Sequence, residues 1–129
     1  MDGFPPGYER FRPHLAEAVD GRFYTIDYLD WMIRTGRAQF RPGADAAIVT
    51  ELRDYPACRA IHGLAAAADP RSGRGAGLDE IVGQLIPAAE AWGRSRGCSQ
   101  AIVESRPGWQ RALRNHGYEL HQIAVVKGL

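Results

Sequence analysis

Lysine and cysteine are nearly missing from this sequence. Lys127 is the single lysine among 16 basic residues, and the two cysteines, Cys58 and Cys98, form no Cys-x-x-Cys pair and no Cys/His cluster. That spacing excludes the common zinc motifs and the disulfide framework of a small secreted domain, and it fits a reducing, cytoplasmic setting. An excess of either charge is also lacking: 16 basic residues face 15 acidic ones, for a formal net charge of +1. The electrostatic footprint of a general nucleic-acid binder is therefore absent. The arginine-for-lysine bias accompanies abundant alanine and reads as a compositional habit of the genome. No apolar run approaches the roughly 18 residues that a membrane helix needs, and the opening "MDGFPPGYER" has no apolar core of the signal-peptide kind. Neither a Ser-His-Asp order, nor His-Glu-x-x-His, nor a Walker loop occurs.

What is present fits one domain over residues 1–129, a length that buries a single core. Residues 1–9, with Gly3, Pro5, Pro6 and Gly7, are expected to be irregular. A short helix is expected over Pro13–Val19. A second follows Thr25 as N-cap, with Ile26, Leu29, Met32 and Ile33 at helical spacing and Gly36 as its stop. Trp31 lies off that stripe and is a candidate to face a partner or another layer.

Three β-type segments come next, "RAQFR", "DAAIVTEL" and "CRAIHGLAA", separated by the turn compositions "PGAD" and "RDYPA". They read as an antiparallel meander. "LDEIVGQLIPAAEAWGRSRG" then predicts the longest helix, with Ile81, Leu85, Ala88, Ala89 and Trp92 on one face and Gly97 as its stop. Pro87 inside it predicts a bend or a later start. "SQAIVES" reads as a buried strand, "RPGWQRALRNHG" as a short last helix, and "YELHQIAVVKGL" as a closing strand, bent or paired on itself.

The order is thus α/β: helix, helix, three strands, helix, strand, helix, strand, with a mixed, mainly antiparallel sheet flanked by helices. Two segments give it a resemblance to the GNAT superfamily of acyl-CoA N-acyltransferases. The first is "IHGLAAAADPRSGRGAGLDEIVGQLI", residues 61–86, which resembles that family's strand, phosphate loop and helix. The resemblance implies that Arg71, Gly73, Arg74, Gly75, Ala76 and Gly77 bind the pyrophosphate of acetyl-CoA. Glycines let the backbone approach, while amides and the helix dipole meet the anion. Arg71 stands one residue farther from the Gly-x-Gly than the family's pattern has it, and Asp79 and Glu80 directly after the loop oppose an anion. The alternative is a Gly-rich surface connection.

The second segment, "RPGWQRALRNHGYEL", resembles the family's last helix. Trp109 and Leu113 point at the core, Gly117 caps, and Tyr118 opens the next strand. The family commonly has a tyrosine, as general acid, at the position Leu113 occupies here, and leucine has no proton to give. Candidates for the base are His62, near where relatives often carry a glutamate, and Glu51, with Glu104 also near a strand end; a histidine's ordinary pKa of about 6.5 suits that task. Each is otherwise a structural or solvated residue. "RFYTIDYLDWMIRTGRAQ", "VTELRDYP" and "ESRPGW" further resemble short, divergent GNAT-like proteins of tailed phages and prophages. The resemblance implies acetyl transfer from acetyl-CoA to an amine, on a small molecule or a protein. The alternative is a GNAT-fold protein without activity, serving as an interaction or phage-associated module. A homo-oligomer or a phage or host protein is the expected kind of partner.

Overall fold

The computed structural model describes residues 2–73 and 75–129, and only the backbone of Pro107. Four strands make one open sheet in the order β1 (Gln39–Pro42), β2 (Ala46–Asp54), β3 (Arg59–Ala68), β4 (Gln100–Val103). The first three pair antiparallel and β4 runs parallel to β3. Both expected turns close the meander: Gly43 N–H bonds the Ala46 carbonyl, and Tyr55 and Cys58 exchange backbone bonds.

Alternation along the strands divides the core into two layers. Ala47 and Val49 of β2 and Ala67 of β3 face α1 (Tyr8–Ala18) and α2 (Ile26–Arg34), which supply Tyr8, Phe11, Leu15, Leu29, Met32 and Ile33. Ala46, Ile48 and Ile61 face the opposite layer, built from Ile81, Leu85, Ile86, Ala89 and Leu113. Helix α1 starts five residues before the expected Pro13, because Tyr8, Phe11 and Leu15 form a buried stripe that outweighs the hydrogen bond Pro13 cannot donate. It is clasped to α2 by Asp30, which accepts from the Tyr8 hydroxyl at 2.5 Å and from the Arg12 guanidinium at 2.7 Å. Burial, then the bond to Asp30, pushes the Tyr8 hydroxyl's pKa well up. Thr25 caps α2 by accepting from Tyr28 N–H, as its position predicts.

The long helix is continuous but not uniform. α3 (Ala76–Glu80) passes through one π-helical stretch, Ile81–Leu85, into α4 (Ile86–Ser95). Ile86 N–H reaches back to the Ile81 carbonyl, five residues away, so the ladder is already reset where Pro87 lacks its donor. α5 (Gln110–Arg114) follows a 3₁₀ turn, Pro107–Trp109. It ends as expected at Gly117, φ +89°, where Tyr118 N–H bonds Leu113 and Gly117 N–H bonds Arg114 in the two-bond pattern of a left-handed helix cap.

One expected element is not formed. Residues 118–129 take up no strand, although their composition is β-like. A strand needs a paired neighbour, and among the described residues the segment has none.

Glu80 explains how the helix is seated on the meander. Its buried carboxylate accepts from the N–H groups of Ala44, Asp45 and Ala46 at 2.8–2.9 Å, so it holds the β1–β2 turn. Glu80→Ala strands three donors, and we expect a loss of about 2–4 kcal/mol in unfolding free energy by urea titration. An exposed control such as Glu17→Ala should move it by less than about 0.5 kcal/mol.

Candidate functional site

The chain leaves β3 at Ala68 and enters α3 at Ala76, with a 3₁₀ turn, Pro70–Ser72, between them. Asp69 sets the geometry of this passage. It is 2% exposed, its N–H donates to the Asp45 carbonyl, and its carboxylate accepts from the Arg71 backbone, the Arg71 guanidinium at 2.8 Å and the Arg10 guanidinium at 3.1 Å. The Arg71 side chain, then its N–H, then Arg10 hold the Asp69 carboxyl well below the usual carboxylate range.

The residues expected to bind pyrophosphate fall into distinct roles. Arg71 leans on Asp69 yet stays 80% exposed. Gly73 and Gly75 both have positive φ, and a side chain at Gly75 would meet nothing within 4 Å, so that backbone is bare to solvent. Ala76 opens the helix. Gly77 is buried, and a Cβ there would overlap that of Ala68, so this glycine serves the approach of helix to strand. Arg74 lies outside the described residues. Of the two acids that oppose an anion, Glu80 is turned inward onto the hairpin, and Asp79 remains exposed.

Beside this loop the last two strands part. β3 and β4 pair only from Ala60↔Gln100 to Gly63↔Val103, while β3 continues to Ala68. The β2–β3 register shifts at the same point: Val49 pairs Ala65 and Thr50 pairs Gly63, leaving Leu64 as an extra residue. Such a bulge bends and twists its strand, which turns β3 away from β4. The edge of residues 64–68 that faces β4 has no strand beside it. A cleft of about 200 Å³ lies between the elements that follow the two strands, bounded by Leu78, Asp79, Val82 and Gly83 on one side and Ala112, Asn115 and His116 on the other.

The two base candidates meet. Glu51 and His62 are direct partners across β2 and β3, on the face that carries Val49 and α2. His62 is 2% exposed; its Nε2 lies 3.0 Å from Glu104 Oε1, and its buried Nδ1, without a hydrogen bond, lies 3.9 Å from Glu51 Oε1. Glu51 is itself held by Arg53 Nε at 2.5 Å. An ionised carboxylate only accepts, so Glu104 fixes the proton on Nε2 and leaves the Nδ1 lone pair open. Among the described residues no group of His, Cys, Asp or Glu is arranged to hold a metal ion.

On the opposite face, Leu113 is core and Trp109 packs beside it, as the sequence predicts. Tyr118 is no free acid. Its hydroxyl donates to Glu90 of α4 at 2.7 Å, and burial, then that bond, push its pKa well up.

Sequence reasoning missed the pairing of Glu104 with His62 and the inward turn of Glu80. The first follows once β4 is laid parallel to β3 from Ala60, since Glu104 is the next residue after Val103 on the His62 face. The second had a weaker signal: an acid one turn into a helix that has a sheet beneath it.

With this geometry in hand, the comparisons with known proteins are clear about the fold. The chain is similar to glucosamine-6-phosphate N-acetyltransferase from Arabidopsis thaliana, with a TM-score of 0.67 and 16% identity over 93% of this chain and 90% of that one. It is similar to an aminoglycoside N-acetyltransferase in complex with CoA, at 0.62 and 16% identity over 93% and 87%. A transcriptional regulator from Bacillus halodurans matches at 0.68 and 16% over 97% and 95%. No family model and no curated protein sequence matches the chain. These likenesses show the GNAT fold, the mixed α/β sheet expected from the sequence.

The depressed Asp69 carboxyl has a pH consequence. Its stabilisation is complete above the unfolded value of about 4 and is lost as pH falls through the lower folded value. Asp69→Asn is expected to lower the melting midpoint at pH 7. Its curve and that of the wild type should converge in acid, as followed by circular dichroism melts across that range.

Proposed function

We propose that this protein transfers an acyl group from acyl-CoA, most simply acetyl-CoA, to an amine. What supports the reading above all is the parting of β3 from β4 beside a bare glycine backbone at the head of the long helix. An extended pantetheine arm has amide groups that can bond the free edge of residues 64–68, as an added strand would. The pyrophosphate would be met by the N–H groups around Gly73, Gly75 and Ala76, with the positive end of the helix dipole behind them and Arg71 close by. The fit rests on that open backbone and on the inward turn of Glu80, which leaves Asp79 as the exposed acid beside the loop, Asp69 being buried against Arg71 and Arg10.

Acyl-CoA supplies a thioester already activated for attack. The chain's own task is to hold it and to take a proton from the incoming amine. His62 Nδ1 is the acceptor, through one water because its burial keeps the amine itself from reaching it, and Glu104 keeps the other proton on Nε2; Glu51 lies near enough to stabilise the imidazolium that forms. Neither Leu113 of α5, which is buried, nor Tyr118 after it, which is bound to Glu90, offers a proton to the departing thiolate. The thiolate would leave unprotonated or take its proton from water.

The same lack of an acid favours a second reading, an inactive interaction module, phage-associated in keeping with the motif likeness of residues 22–39. Fold alone does not choose.

Calorimetric titration with acetyl-CoA decides first: binding is expected, and none at millimolar ligand removes the coenzyme reading. Gly75→Glu, which adds bulk and charge at a left-handed position, should abolish binding while the far-ultraviolet spectrum is kept. In an assay of thiol release over a pool of amines, His62→Gln is expected to cut turnover roughly 10²–10⁴-fold with coenzyme affinity unchanged. Turnover unaffected by that change removes His62 as the base.

A further inference from the structure

β3 and β4 keep a common register where they begin. Ala60 is paired with Gln100, and the pairing continues one step back, where Ser99 N–H donates to the Arg59 carbonyl at 3.0 Å. One further step back sets Cys58 against Cys98, the two cysteines of the chain. Each is held by its backbone. Cys58 exchanges both of its backbone bonds with Tyr55 in the β2–β3 turn, and Cys98, just past the left-handed Gly97, donates its N–H to the Gly93 carbonyl at 2.9 Å. Arg59 ties the same two segments together, through Asp54 at 2.6 Å and the Arg96 carbonyl at 2.9 Å.

Both thiols are free and half-buried. Neighbouring strands lie about 4.8 Å apart, inside the roughly 4.4–6.8 Å between Cα atoms that a disulfide spans. The two side chains also sense one another: burial first pushes the Cys98 thiol up, Arg59 opposes this, and Asp54 and Cys58 add to it. Acyl transfer as proposed above uses neither sulfur. The opening that serves it lies at the other end of β3, beyond Gly63.

We propose that Cys58 and Cys98 are a redox-modified pair, joined by a reversible disulfide when hydrogen peroxide reaches them. The Cys58 thiolate attacks one peroxide oxygen; the O–O bond breaks, a sulfenic acid forms on Cys58, and the departing hydroxide is protonated to water. The Cys98 sulfur then attacks the sulfenic sulfur. The S–S bond forms, the S–O bond breaks, and the second hydroxide takes the Cys98 proton and leaves as water. Two electrons thus pass from the pair of thiols to one peroxide. Cys58 takes the first step because burial favours the protonated form of Cys98. A dithiol reductant returns both thiols. The bond closes a loop that runs through β3, the glycine passage and the long helix, so it restricts the unfolded chain while the strands keep their register.

The test treats reduced protein with hydrogen peroxide and follows both thiols by mass spectrometry. The expected product is a single chain about 2 Da lighter, and its digest holds a Cys58–Cys98 cross-linked peptide that dithiothreitol cleaves. Its melting midpoint by circular dichroism is expected to stand about 5–15 °C above that of the reduced protein. Cys58→Ser and Cys98→Ser should each lose both the peptide and the shift. Should either variant fold poorly, alkylating both thiols of the wild type before adding peroxide serves the same end. Thiols that stay free, sulfinic acid without a linked peptide, a disulfide between two chains, or an oxidised midpoint no higher than the reduced one overturns the proposal. None of these readouts involves acetyl-CoA, so failure here leaves the coenzyme reading standing.

Discussion

Two buried carboxylates bracket the turn from strand to long helix, and the rest of the structure is arranged around them. Asp69 closes the end of β3 and Glu80 closes the first turns of the helix. Each is satisfied by donors from a different part of the chain: Arg10 of α1 and Arg71 on one, the amides of the β1–β2 turn on the other. A buried acid is tolerable only when its oxygens are met by donors, so these contacts fix the passage between them. Gly73 and Gly75 in that passage are exposed and have positive φ. The feature that looks, in sequence, like electrostatic opposition to an anion is, at Glu80, part of the scaffold that presents the loop.

The bulge at Leu64 links this passage to His62, the proposed base. It adds one residue to β3 where β4 stops following, so the same local irregularity opens the sheet on one side of the strand and fixes His62 on the other. A histidine with both neighbours acidic and one nitrogen unbonded is an unusual occupant for a strand buried on both faces. As a purely structural group it would leave a desolvated lone pair without return.

Much of the fold was legible before the structure. The meander, the long helix, the existence of a fourth strand and the helix cap at Gly117 follow from alternation, helical spacing and turn residues, which are local signals. The two base candidates were legible singly, as residues of adjacent strands, whereas their direct pairing is shown by the strand register. What was not legible depends on non-local contact. Pro13 looked like a helix start because its sequence neighbourhood does not reveal that Tyr8 and Phe11 are buried beneath Phe40. Residues 118–129 read as a strand because composition reports the capacity to pair and is silent about the partner.

The π-helical stretch has an effect beyond sparing Pro87 a conflict. Each residue of an α-helix advances about 100° around the axis, so one extra residue in a turn rotates everything before it relative to everything after. That offset lets Glu80 aim at the hairpin while Trp92, farther along, lies against the guanidinium of Arg41. Ile81–Leu85 is thus a phase adjuster. Deleting a single residue there would restore uniform winding, keep every hydrophobic side chain in the sequence, and still swing the glycine loop out of line with the strands it serves.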